Sequence, residues 1–92
     1  MKIGLLGFCV VGRGVYELTR GRDDMQVVKV LRREDMQLPD AKTVRDIRDI
    51  VEDDSIDTVV EVMGGLHPAY DYVRAAIEAG KNVVTANKAL GC

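Results

Sequence analysis

A chain of 92 residues makes one domain, spanning 1–92, in which roughly 60–65% of the unfolded surface is buried on folding. Thirteen basic and fifteen acidic residues, interspersed along the chain, leave a net charge of −2 and no field to gather nucleic acid or anionic lipid. Hydrophobic residues at 47% and charged residues at 30% exclude a disordered chain, and apolar runs such as TVVEVM are too short to span a bilayer.

The N-terminus enters a strand pattern directly, with no basic flank and long apolar region, so the expectation is a cytoplasmic protein without a secretory signal. Residues 2–6, KIGLL, and 26–31, QVVKVL, read as short buried strands. Between them GRGVYELTRG has helical spacing, with Val11, Val15 and Leu18 on one face and Gly21 as its stop. The polar segment 32–42 contains Pro39 and reads as a loop. A short extended piece at Lys42–Val44 follows, then a helix whose apolar stripe is Ile47, Ile50 and Val51. IDTVVEV, 56–62, is a third strong strand. The MGG turn leads into HPAYDYVRAAIEAG, a helix with Pro68 in its first turn and Gly80 at its end, turning Tyr72, Ala76 and Ile77 to the sheet with Val73 beside them. KNVVTA is the last strand.

Strands alternating with helices predict an α/β fold: a Rossmann-type, doubly wound parallel sheet in the order 3-2-1-4-5, with helices on both faces and Lys42–Val44 as the weak edge. In such sheets a ligand binds beyond the carboxyl ends of the strands, where the order reverses. That places a site above the first strand, with the MGG and TANK turns on the same edge.

The chemistry starts in the first turn. A G-x-G-x-x-G dinucleotide fingerprint maps to Gly7, position 9 and Gly12, and its middle glycine is replaced by Cys9. Gly7 permits the tight turn, Gly12 permits close packing of helix on strand, and the helix N-terminus offers N–H groups to phosphate. The alternative is a glycine turn in some other α/β domain. About 20 residues past Gly12 an NAD site carries an acid for the ribose 2′-hydroxyl. This chain has Arg32 and Arg33, which suit a 2′-phosphate and favour NADP over NAD. Glu34 and Asp35 follow closely and could supply that acid if the strand ends later, and a solvated loop is the alternative for all four. Gly64 and Gly65 suggest a sharp turn or approach of a ligand to the backbone. Glu61 is an odd charge in an apolar run, either emerging at the sheet edge or pairing with a basic group. His67 starts a helix and receives no catalytic role. Lys88 lies just beyond the last strand, either solvated or facing the cleft. Two cysteines without a CxxC pair, and one histidine, give no metal-ligand spacing, so no metal site is expected. Four aromatic residues offer no platform for stacking single-stranded bases.

Read together, KIGLLGF, VGRGV, IDTVVEVMGG and AAIEAGKNVVTANKAL closely resemble the nucleotide-binding domain of homoserine dehydrogenases, over nearly the whole chain. The resemblance implies an NAD(P)-dependent oxidoreductase of amino-acid biosynthesis that interconverts aspartate semialdehyde and homoserine. It implies that Phe8, Val10, Val11 and Gly12 line the pyrophosphate, and that Arg32 or Arg33 meets the adenosine ribose or its phosphate. Gly64 and Gly65 would lie under the nicotinamide-side ribose, and Lys88 matches the lysine between cofactor and substrate. The family usually has glycine at position 9 and threonine at position 10, where this chain has Cys9 and Val10. The family also continues past this point into a dimerisation and substrate domain that carries an acid and a lysine for proton transfer and substrate binding. The expectation is therefore an excised, engineered cofactor-domain fragment, inactive alone, with weak dinucleotide binding, no catalytic residue of its own and no specified oligomeric state. One alternative is an engineered structural fragment whose nucleotide binding is weakened or lost at Cys9; another has Cys9 and Cys92 forming a bridge or a dimer, with free thiols favoured in the cytoplasm.

Overall fold

The computed structural model describes residues 1–63 and 69–85. Among the described residues five parallel strands form one sheet: β1 (Lys2–Leu6), β2 (Gln26–Leu31), β3 (Lys42–Val44), β4 (Thr58–Glu61) and β5 (Asn82–Thr85). Their order is β3-β2-β1-β4-β5, as the alternation of strand and helix predicts. Among the described residues three helices intervene: α1 (Val10–Thr19), the single turn α2 (Arg48–Val51), and α3 (Ala69–Glu78).

The sheet is apolar on both faces because helices cover both. Ile3, Leu5, Val27, Val30 and Val62 pack with Tyr16 of α1 on one face. Leu6, Leu31, Val44, Ile56 and Val59 pack with Ile50 of α2 and Ala76 of α3 on the other. Leu5, Leu6 and Ile50 are fully buried, each worth about 1.5–3 kcal/mol over an exposed position. One irregularity adjusts the pairing. The β1–β2 register shifts between Ile3 and Gly4 and passes over Val28. The bulge puts Val28 against the α2–α3 face and lets Lys29 reach the end of α2, where its Nζ meets the Asp49 carbonyl at 2.8 Å and Asp53 Oδ2 at 2.9 Å.

Two helical faces differ from the periodicity reading. In α1 the buried residues are Gly12, Tyr16 and Thr19, with Val15 half-buried, whereas Val11 is exposed and Leu18 is 79% exposed. Gly12 sets this rotation, because a Cβ there would lie 2.6 Å from the Gly7 carbonyl oxygen and 3.1 Å from Val62 Cγ2. Only the glycine face can press so closely on β1 and β4. Thr19 hides its hydroxyl on that face by donating to the Val15 carbonyl at 2.9 Å. In α3, Ala69 and Ala76 are buried and Tyr72 packs beside them, while Ile77 is 60% exposed, one residue past the buried stripe. The α2 stripe of Ile47, Ile50 and Val51 faces the core as expected. Gly21 and Gly80 end α1 and α3 at φ +79° and +81°.

Candidate functional site

The carboxyl ends of β1 and β4 flank the point where strand order reverses, and the glycine turn sits there. Gly7 turns the chain at φ +100°, with its N–H still donating to the Leu31 carbonyl at 3.0 Å. A Cβ at Gly7 would meet Met63 Cγ at 3.2 Å, so the turn lies directly against the exit of β4. Phe8 packs inward, edge-to-face with Tyr16 at 5.7 Å, and the Arg13 guanidinium lies 5.9 Å from its ring centroid.

Cys9 is the N-cap of α1, in an extended conformation at φ −77° and ψ −159°. Its sulfur lies 3.6 Å from the Val62 carbonyl oxygen, in the gap between the glycine turn and β4. The cap makes no side-chain hydrogen bond to the helix, and no acidic residue occupies the first turn. Val10 is 77% exposed and Val11 is exposed beside it. Neither the cap side chain nor an acid of the first turn therefore offsets the positive end of α1, which lies at the strand-order reversal.

A second part of the site lies at the ends of β2 and β3. A cavity of about 280 Å³ is lined by Leu31, Arg32, Arg33, Arg45, Met63 and Tyr72. Arg32 is half-buried: its N–H extends the ladder to the Val44 carbonyl at 3.0 Å, and its Nη1 donates to Met36 Sδ at 2.8 Å. Arg33 is exposed. Glu34 and Asp35 lie at the far reach of an ion pair, 3.9 Å from Arg32 and 3.7 Å from Arg45. Arg45 is a residue that the sequence reading passed over. It follows β3 immediately, and the predicted neighbour relation of β3 and β2 already brought it beside Arg32 and Arg33.

Glu61 stands in the last rung of the sheet but is buried rather than solvated. It is 6% exposed, with Oε2 accepting the Met63 N–H at 2.7 Å and Oε1 accepting the Thr85 hydroxyl at 2.7 Å. Gly64, Gly65, His67, Lys88 and Cys92 lie outside the described residues, and with them the Cys9–Cys92 bridge that the sequence raises only as an alternative. A larger cavity of about 380 Å³ lies where α1 ends and β2 begins, away from this edge. Its arginines, Arg20 and Arg22, are paired with Asp40 and Asp24. Among the described residues no helix is long and apolar enough to cross a membrane, and no three His, Cys, Asp or Glu side chains group as metal ligands.

Comparison with known proteins gives a consistent picture. The family described as "Homoserine dehydrogenase, NAD binding domain" matches residues 7–92. A homoserine dehydrogenase of Methylobacillus glycogenes is 41% identical over 98% of this chain and 25% of its own length. One from Bacillus subtilis is 31% identical over 98% of this chain and 24% of its own length. Among solved structures, a Staphylococcus aureus homoserine dehydrogenase crystallised at pH 8.5 superposes with a TM-score of 0.84 and 33% identity, over 98% of this chain and 26% of that one. A homoserine dehydrogenase from Thiobacillus denitrificans gives 0.80 and 35%, over 95% of this chain and 23% of that one. The chain thus spans about a quarter of the length of these relatives.

Proposed function

The chain belongs to the homoserine dehydrogenase family through its NAD-binding domain, and from that premise we propose that it binds a nicotinamide dinucleotide across the carboxyl edge of the sheet, preferring NADP to NAD. The pyrophosphate would rest on the N-terminus of α1 beside Gly7, Phe8, Cys9, Val10, Val11 and Gly12. The nicotinamide end would extend past β4 towards Gly64, Gly65 and Lys88. In the whole protein, the nicotinamide would exchange a hydride in the interconversion of aspartate semialdehyde and homoserine. The residues of this chain would bind and orient it.

The observation that carries the NADP preference is the gathering of Arg32, Arg33 and Arg45 around one cavity. Guanidinium groups pair with phosphate in a fixed fork, and each charge-assisted contact contributes about 1.5–3 kcal/mol. A preference for NADP of tenfold or more, about 1.4 kcal/mol, is therefore expected in calorimetric titration. Replacing all three with alanine (R32A/R33A/R45A) should bring the two affinities close to equality. An unchanged ratio would mean that the arginines are only solvated.

A second reading rests on Cys9, since no cysteine among the described residues is free. A bridge from Cys9 to Cys92 would hold the end of the chain at the glycine turn and weaken or abolish binding there. Two free thiols in the denatured, unreduced chain would remove this reading.

A further inference from the structure

Among the described residues, Glu61 is the only charged residue buried in the core. A carboxylate in that setting is costly unless its oxygens are bonded, so its presence inside an apolar strand calls for a local cause. The cause is visible in the register. Leu31, Leu6, Glu61 and Thr85 stand in one row across β2, β1, β4 and β5, the last rung of the sheet at its carboxyl edge. From the middle of that row the two Glu61 oxygens reach in different directions, one to the Thr85 hydroxyl on β5 and one to the Met63 amide beyond β4. Met63 in turn backs the Gly7 turn and lines the arginine cavity.

We infer that Glu61 is a positioning residue of the nucleotide site, fixing the exits of β4 and β5 relative to the glycine turn. It acts through the Met63 backbone and the Thr85 side chain. An apolar residue of similar size would fill the space but leave the Met63 amide without this acceptor. The inference rests on the dinucleotide reading above, and its test separates the two.

The 92-residue chain is titrated with NADP and with NAD, and amide exchange is followed without nucleotide. In E61A both affinities should fall by at least tenfold, about 1.4 kcal/mol, with the NADP/NAD ratio unchanged. The Met63 amide should lose protection while the β1–β2 ladder keeps its own. E61Q preserves both contacts, since its amide oxygen accepts from Met63 and its NH₂ donates to the Thr85 oxygen. It should bind within roughly threefold of the unaltered chain. Should E61A fail to fold, T85V removes one partner from a strand that tolerates valine, and both affinities should fall by roughly threefold or more. Undiminished binding by E61A or by T85V overturns the inference, as does an equal loss in E61A and E61Q. If the unaltered chain itself binds neither nucleotide, the dinucleotide reading fails first, and the role inferred for Glu61 falls with it.

Discussion

The main chain at Cys9 is extended, with φ far from the left-handed region, so the loop folds without needing glycine at that position. What glycine would give is room. The pyrophosphate of a bound dinucleotide approaches the backbone at the second fingerprint position, and here a Cβ and a sulfur stand in the gap between the glycine turn and Val62. Val10, exposed at the start of α1, lacks the hydroxyl that the family's usual threonine would present there. Both changes act against the ligand and neither disturbs the core. The unaltered chain is therefore expected to bind in the millimolar range, a total of about 4 kcal/mol. C9G/V10T should tighten binding at least tenfold, with both proteins titrated in reductant so that any bridge is open. No gain would place the weakness elsewhere than in this loop. The sequence identified the odd residue and the conflict it creates. The direction of the sulfur was out of reach, because it depends on β4, more than fifty residues away.

At the scale of elements, the strands and their order were legible because all but the edge strand β3, KTV, carry a short apolar run between polar turns, and the β-α-β connection has one hand. The rotation of α1 was not. Hydrophobic periodicity counts valine and leucine as the buried face, yet the closest contact is made by a glycine, and a threonine hides by bonding its own helix. The end of α2 was equally hidden. There the Asp53 carboxylate accepts from the Ser55 hydroxyl at 2.6 Å and meets Lys29 Nζ at 2.9 Å, tying α2 to the bulge in β2. The Ser55 hydroxyl, then Lys29, hold the Asp53 carboxyl well below the ordinary carboxylate range. Its folded pKa is lower than its unfolded one, so its stabilisation is full above the unfolded value and is lost as pH falls through the folded value. The Asp24 carboxyl, held at about 2 chiefly by Arg22, titrates in the same window, so the variant comparison isolates Asp53. D53N keeps an oxygen for Ser55 but loses the charge facing Lys29. Its urea midpoint should be lower than that of the unaltered chain at pH 7, and the gap should begin to narrow below about pH 4, the ordinary carboxylate range, and go on narrowing as pH falls towards the folded value. A gap that stays constant down to about pH 2 would show that the Asp53 charge contributes nothing to the fold.

For the whole molecule, one sheet edge brings together the glycine turn, the arginine cavity and the Glu61 row, on elements whose positions the core fixes from both faces. The edge itself could be foreseen from strand order. Glu61 could not be assigned, because the partners that hold it include a backbone amide and a threonine on the neighbouring strand, which residue type alone does not announce. These features suit a surface that holds a dinucleotide. Turnover needs more: the aldehyde or alcohol carbon must be held against the nicotinamide, and such positioning is worth about 7–11 kcal/mol of barrier. The chain spans about a quarter of its relatives' length. The family resemblance assigns the acid and the lysine that handle substrate and proton to the part of the family's sequence that follows this one. If substrate is held by that part, a nucleotide bound to these 92 residues meets homoserine only by chance encounter from solution. The 92-residue chain mixed with homoserine and NADP should therefore show no rise in reduced nicotinamide absorbance above a protein-free control, even at nucleotide concentrations that calorimetry shows to be saturating. A rate above that control would mean that substrate is held by residues within these 92, and would move the catalytic groups onto the edge described here.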